Sequence, residues 1–564
     1  MNGIAYPPAP ILAHTNRAIS LLCGTSCPAH HRRRIVKANC RTHCRQANER
    51  LQVQTTINCD LLVVGGGIHG AGIARDAAGR GLSVVLCERD DLAAHTSSAS
   101  TGLVYGTLHY LQGHDFAQVR RALLEREVLM RCAPHIISPL RFVMPQDVGQ
   151  RAAWVMRAGF LFCNRLARHT LLPAARYANL LQHVAGSPLR LEFLEGYLFS
   201  DAWVNDARLV VLNALAAAEA GATVLTRTLC DSAKRSDGRW LATLRCANGM
   251  STPVCARALV NATGPWAARF LREASGSVQP LRLVKGSHIV VRKKFGHGYG
   301  YLFQHPDGRT VFALPYEKDY TLIGATGLDY DGDPARVAIS DEEISDLCSL
   351  VNRYFTARTS RADVLWAYSG VRPVLEEDGK RPVADGEYRL RLDDNGGAPL
   401  LSVLGGAISS YRRLAEEAVD LLGSRLGCLH GAWTANACLP GGDLYGTAPS
   451  PRSVLGFDDY LRRQKQSYGW MPPALVERYA RAYGTRMDRL LAGCGAMNDL
   501  GRQVLSGLYE AELRYLIRHE WAMTAQDILW RRSRLGLHLA PDAVGVLDAW
   551  IANAIAGMPE FTPP

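Results

Sequence analysis

The chain has 564 residues, enough for more than one domain at roughly 100–200 residues each. Hydrophobic content of 48% and charged content of 21% exclude fibrous and wholly disordered classes. The net charge of +12 calls for an anionic partner, such as a phosphorylated substrate, a nucleotide or an anionic membrane surface, and no nucleic-acid motif accompanies it.

Residues 1–58 carry eight of the basic side chains, from Arg17 to Arg50, against one acid, Glu49. This stretch reads as a basic, disordered extension; as a mitochondrial transit peptide it is poor, because of its clustered cysteines and early prolines. Cys23-x3-Cys27 and Cys40-x3-Cys44 lack the spacing of a standard zinc module, so no metal is assigned. The fifteen cysteines are mostly scattered singly, as reduced thiols are in a cytosolic compartment. No apolar run reaches the roughly 18 residues of a spanning helix, so the protein is expected to be soluble or peripherally attached.

Asp60–Glu88 is the organising stretch. The apolar run Leu61–Val64 leads into Gly65-x-Gly67-x-x-Gly70, a helical pattern through Ala78, a second apolar run Val84–Leu86, and Glu88. That is strand, glycine turn, helix, strand and acid within about 30 residues, a dinucleotide-binding βαβ unit. Gly65 makes the tight turn, Gly67 lets the backbone approach a pyrophosphate, and Gly70 lets the helix close on the sheet. The helix N-terminus offers N–H groups and partial positive charge to the phosphates, and Glu88 can accept from ribose hydroxyls. By itself the turn leaves NAD and FAD both open. The hydroxyl-rich loop that follows can set Ser97, Ser98 and backbone amides near the pyrophosphate.

Phe116, Val119, Leu123, Val128 and Leu129 recur at helical spacing. From Val148 to Leu191 there is no acid but six arginines interleaved with aromatics, either a buried helix with a basic face or a segment lying in a membrane interface. Ala202–Arg208 opens a helix that ends near Gly221, and Thr223–Arg227, Leu241–Cys246 and Val254–Asn261 read as strands. The last runs into Ala262-Thr263-Gly264, where glycine removes a Cβ clash with ligand. Residues 280–375 alternate β-branched and polar side chains, the mark of a mostly antiparallel sheet inserted into the nucleotide domain. Leu400–Leu404 is a buried strand, and Gly405-Gly406 and a helix from about Ser409 repeat the strand–turn–helix arrangement. Together with the serine loop and the Thr263-Gly264 strand end, this second turn narrows the cofactor to FAD held at both ends. Beyond Gly442 the pattern is helical. The expected architecture is an α/β protein: residues 1–58 an extension, 59–430 the oxidoreductase region with a cap at roughly 110–205 and 270–375, and 431–564 a helical C-terminal domain.

Gly65–Asp76, Asp91–Ser100, Arg126–Pro134, Val204–Leu209, Asn261–Trp266, Lys285–Val291, Tyr368–Pro373, Leu439–Gly442 and Glu510–Arg532 together carry a resemblance to the bacterial FAD-dependent, quinone-linked glycerol-3-phosphate dehydrogenases. It spans Asp60 to about Gly536. The resemblance implies a Rossmann-like, glutathione-reductase-like FAD fold with a β-rich substrate cap and a helical C-terminal domain. It implies oxidation of sn-glycerol 3-phosphate to dihydroxyacetone phosphate, electrons passed to quinone, and a peripheral position on the inner face of the bacterial cell membrane. A mitochondrial location is the alternative, although no EF-hand loop of the mitochondrial relatives is present. A homodimer is compatible with it. Arg372, in Ser-Gly-Val-Arg-Pro, matches the family's phosphate-binding arginine, and bidentate guanidinium suits a phosphate dianion. Tyr110 and Ser409 match further pocket positions. His288, polar within an apolar strand, reads as a core histidine in preference to a catalytic base.

The departures are concentrated on the substrate side. The family's Lys after the serine loop is Gly102, its His is Tyr105 and its substrate-binding Arg is His109, while its active-site Lys is Ala407. Family Asp residues are replaced by Asn205 and Gly327. Losing two or three charge-assisted hydrogen bonds at about 1.5–3 kcal/mol each would slow turnover by roughly 10³-fold or more, which a protonated His109 would offset in part. Three readings follow: a working glycerol-3-phosphate dehydrogenase with a modified pocket, a same-fold FAD oxidoreductase with a less anionic substrate, or a flavin-binding paralogue with little catalysis.

Overall fold

The structure, a computed structural model, describes residues 56–104, 116–146, 171–304, 309–375, 387–395 and 397–557. The expectations placed on residues 1–55, on His109 and Tyr110, and on most of the basic stretch 148–191 lie outside the described residues.

The chain enters through strand β1 (Ile57–Val64), helix α1 (Ile68–Gly79) and strand β2 (Val84–Cys87). Helix α2 (Asp206–Glu219) and strands β3 (Thr223–Leu225) and β4 (Ser251–Asn261) complete the first half of the nucleotide layer. The helix does not open at Ala202. Ala202–Val204 finish the preceding strand, Glu195–Val204, and Asn205 caps the helix by accepting from the Arg208 amide at 3.3 Å. Strands β5 (Leu281–Arg292), β6 (Tyr320–Gly324) and β7 (Val364–Leu375) build the inserted layer, and strand β8 (Leu400–Gly405) returns to the first, followed by helix α3 (Tyr411–Leu426).

Two large sheets result. In the first, Tyr388–Asp393, β8, β4, β1, β2 and β3 lie side by side, all parallel except the Tyr388–Asp393 edge. Covering both faces explains why β1 reads as an unbroken apolar run and not an alternating one. Leu61 and Val63 face α1, α2 and α3, while Leu62 and Val64 face the hairpin of Thr228–Ser236 and Arg239–Cys246 with Trp240 at its centre. Among the described residues the second sheet has ten strands and is antiparallel except where Gly300–Gln304 runs parallel to Ile137–Pro145. Its central ladder pairs β5 with β7 along Leu281–Val291 and with β6 along His288–Arg292.

The C-terminal helices, among them Pro473–Tyr483, Glu510–Glu520 and Ala543–Ala556, surround their own apolar core. They are tied to the nucleotide layer by buried ion pairs. Arg208 of α2 meets Glu520, Asp206 meets Arg534 at 2.6 Å, and Asp91 holds Arg531 at 2.5 Å and Arg532 at 2.7 Å. No helix among the described residues is long and apolar enough to cross a membrane.

Candidate active site

The glycine turn has the geometry that a pyrophosphate cradle needs. Gly65 sits at φ +112°, and a Cβ there would overlap the Ala262 carbonyl at the end of β4. A Cβ on Gly70 would overlap the Gly65 carbonyl, so helix and turn close only around glycine. Gly67 caps α1 without a side-chain acceptor, and no acid occupies the first turn. That helix end therefore keeps its positive potential for an anion. Ser97 lies where the hydroxyl-rich loop was expected to reach, its Oγ accepting from the Ile68 amide at 3.0 Å. Ser98 Oγ instead bonds the His95 carbonyl within the loop. Glu88 accepts from the Gly66 amide at 2.7 Å and the Asp90 amide at 2.9 Å, and burial pushes its carboxyl up against those hydrogen bonds. Each oxygen retains a lone pair for a hydroxyl donor.

Thr263 and Gly264 end β4 beside this turn, with Thr263 Oγ1 bonded to Asn261 at 2.8 Å. Gly264 stands at φ +57°, in the left-handed region that favours glycine, and no protein atom lies within 4 Å of the place its Cβ would take. The second turn repeats the device. Gly405 and Gly406 sit at φ +75° and +95°, and Ser410 at the start of α3 caps nothing with its side chain. The His69 ring, second in α1, lies directly against Gly406, so the two turns touch. Nothing in the sequence pattern had singled out His69; a bulky imidazole inside a glycine-rich turn was the available signal.

The serine loop is stitched to the strand that carries Arg372. Thr96 Oγ1 donates to the Val371 carbonyl at 2.6 Å, and Tyr368 Oη donates to the Ser100 carbonyl at 2.9 Å. Gly370 is the point of closest approach, where a Cβ would come within 3.0 Å of the Ala99 Cβ. Arg372, partly buried, follows the Val371 whose carbonyl Thr96 holds. Ser409 is buried at the head of α3, one residue from Ser410, whose Oγ accepts from the Ala407 amide at 3.3 Å.

His288 is 2% exposed and stacks on Tyr368 at 4.7 Å, with Nε2 3.0 Å from Thr101 Oγ1. Burial pushes its pKa down to about 3, so the ring is neutral, in keeping with a core role. Gly324 leaves the space that this ring fills. Beside it the serine loop, Trp203, Tyr316, Trp366, Tyr368, Trp530 and Arg534 line an aromatic cleft. Trp530 and Arg534 come from the C-terminal helices, and no periodicity in the sequence pointed to them. Gly102 stands at φ +68° with Trp203 Nε1 and the Val204 carbonyl within 2.9 Å of where a Cβ would lie. The backbone there has no room for the family's lysine.

A family model described as FAD dependent oxidoreductase matches residues 60–407, and a second, described as the C-terminal domain of alpha-glycerophosphate oxidase, matches residues 432–556. The glycerol-3-phosphate dehydrogenase of Pseudomonas aeruginosa is 48% identical over 486 residues, 86% of this chain and 93% of that protein. The chain belongs to the FAD-dependent glycerol-3-phosphate dehydrogenase family. Its cofactor is FAD, and the family fold is the two-layer arrangement with helical C-terminal domain described above. Another family relative, the D-erythritol 1-phosphate dehydrogenase of Brucella abortus, is 44% identical over 88% of this chain and 98% of that protein. The Bacillus halodurans glycerol-3-phosphate dehydrogenase complexed with FAD superposes with a TM-score of 0.71 at 26% identity, covering 91% of this chain and 94% of that one. The glycine turns, uncapped helix ends and Glu88 of this chain fit that cofactor on their own geometry.

Proposed function

We propose that this protein oxidises the secondary alcohol of sn-glycerol 3-phosphate to the ketone of dihydroxyacetone phosphate and passes the electrons to a quinone at a membrane surface. The observation that supports the reading is the stitching of the serine loop to β7, the strand that carries Arg372. Arg372 takes the substrate phosphate as a bidentate partner. His109, Tyr110 and Ser409 complete the substrate contacts, His109 as the partial replacement for a family arginine. The pyrophosphate lies on the α1 amides between Gly65, Gly67 and Gly70, Glu88 takes the ribose, and Thr263, Gly264, Gly405 and Gly406 approach the remainder of the cofactor. Bound flavin supplies the hydride acceptor, and the protein supplies orientation. The aromatic cleft walled by Trp203, Trp366 and Trp530 excludes water from the side of the serine loop. The basic net charge supports peripheral attachment to an anionic surface, on the inner face of the cell membrane.

A second reading is favoured by one observation. Gly102 has no room for a side chain and Ala407 offers only a methyl group, so the substrate side is remodelled and not merely truncated. A longer polyol phosphate, of the kind named for the Brucella relative, would use such a pocket. Anaerobic bleaching of the bound flavin decides between them, because it isolates the hydride step from electron delivery. Bleaching by glycerol 3-phosphate at millimolar concentration is the expected result. No bleaching by glycerol 3-phosphate with bleaching by erythritol 1-phosphate would replace the first reading with the second.

A further inference from the structure

We propose that Asp206 is a positioning residue: it fixes Ser100, and through it the turn to Gly102, so that the C-terminal helices set the cleft wall beside bound FAD. The inference rests on the reading that the serine loop borders the cofactor. Residues 96–102 read Thr-Ser-Ser-Ala-Ser-Thr-Gly. They carry little apolar surface with which to hold a conformation, and fixing each backbone costs about 1–2 kcal/mol in entropy. Hydrogen bonds from outside supply the hold, and they converge on Ser100. Its carbonyl accepts from Tyr368 Oη of β7 at 2.9 Å. Its amide and its hydroxyl both donate to Asp206 Oδ2, at 3.2 and 2.7 Å. The same Oγ accepts from the Gly102 amide at 3.0 Å, and the Gly102 carbonyl accepts from the Val204 amide at 2.7 Å. Those two bonds hold the left-handed backbone of Gly102.

Asp206 is the first residue of α2, 1% exposed, and stands behind the cleft without lining it. Its other oxygen accepts from the Ala207 amide at 2.8 Å and from Arg534 Nη2 at 2.6 Å, so each oxygen takes two donors. Arg534 holds a left-handed φ of +55°, a backbone that a non-glycine residue keeps only where its surroundings fix it. Its guanidinium lies 5.2 Å from the Trp203 ring and 5.5 Å from the Tyr316 ring. The same C-terminal segment grips the other end of the serine loop, where Arg531 and Arg532 hold Asp91. Nucleotide layer, inserted layer and C-terminal helices therefore meet at Ser100, and Asp206 is the carboxylate that joins two of them to it.

The test uses full-length holoprotein, read by the visible circular dichroism of bound flavin and by the rate of FAD release. Asp206→Asn should change the flavin signal and speed release about tenfold. Ser100→Ala cuts the same chain at its loop end and should change the signal in the same sense. The double variant should go no further than Asp206→Asn alone, because both act through one path. Glu512→Gln, which weakens the buried Arg478–Glu512 pair within the C-terminal helices, should lower the melting temperature but leave flavin signal and release rate as they are. A lowered melting temperature with unchanged flavin signal in Asp206→Asn would overturn the inference, leaving a plain structural tie. Additive effects in the double variant, or an equal flavin change in Glu512→Gln, would overturn it too. Should Asp206→Asn fail to fold, an unchanged signal and release rate in Ser100→Ala overturn it, and a changed signal upholds it. None of these readouts needs substrate, so failure of glycerol 3-phosphate to bleach the unsubstituted flavin would refute the proposed activity and leave this inference standing.

Discussion

The cofactor cradle and the substrate side of this protein are built in different ways. The cradle is made mostly of backbone: two glycine turns, two helix ends whose N-cap residues make no side-chain cap bond and a strand terminus, all on the parallel sheet. The proposed substrate side draws on side chains of the serine loop, β7 and the C-terminal helices, which meet in the aromatic cleft. A backbone site tolerates little change in its glycines but is indifferent to most side chains around it. A side-chain site can be re-specified by a few substitutions while the fold stands, as Gly102, His109 and Ala407 illustrate.

The sharpest way to break this contrast is to place a side chain in the cradle. Gly65→Ala adds left-handed backbone strain to a collision with the Ala262 carbonyl, together about 2–6 kcal/mol. The expected outcome is colourless protein or none that is soluble; a yellow, stable variant would show that the cradle is not backbone-limited. Next in size is the tie between the halves. Asp91→Ala leaves the buried Arg532 only the more distant Glu520 carboxylate, at 3.9 Å, and should destabilise by about 3–5 kcal/mol, measured by urea unfolding of the holoprotein.

On the substrate side, Arg372→Ala should lower kcat/KM about 10–100-fold while FAD content stays full. A loss of flavin instead would move Arg372 to the cofactor half. The two missing lysines should then behave oppositely. Ala407→Lys is expected to fold and raise kcat/KM by about tenfold, whereas Gly102→Lys should cost about 1–3 kcal/mol because of its φ and Trp203. Equal effects of the two would refute the view that this pocket was remodelled around Gly102.

The smallest effect is on pH. His69, His135 and His288 have folded pKa values pushed down by burial to about 4, 3 and 3, below the usual 6.5. A depressed folded pKa means that the unfolded chain takes up protons first. The stability these neutral rings allow is full above about pH 6.5 and is lost as pH falls towards 4, at roughly 1 kcal/mol per pH unit for each histidine. Replacing His135, which lies outside both halves of the site, by Gln should flatten the fall in melting temperature between pH 6.5 and 4.5 without altering FAD binding.

Much of this was readable along the chain because it is local. Gly65-x-Gly67-x-x-Gly70 followed by Glu88 needs only a strand and a helix on either side, so sequence spacing defines it. The helix at α2 was misplaced by four residues at its start because Ala202–Val204 are apolar enough for either element, and pairing with Ile137–Ser138 and Leu103–Val104 decides for strand. Arg534 and Trp530 were invisible because they reach the cleft across more than 150 residues of sequence, through contacts that no periodicity encodes.

By itself, then, the order of residues determined the FAD-binding βαβ unit, the second glycine turn, the alternating strands of the inserted layer and the family. These depend on short-range sterics and on apolar periodicities of two and 3.6 residues. The tertiary structure alone decided that the serine loop is sewn to Arg372's strand, that Gly102 cannot accept a lysine, and that the His69 ring of one turn packs against Gly406 of the other. Each of these depends on which distant surfaces meet at van der Waals distance, and packing at that distance is a property of the folded whole.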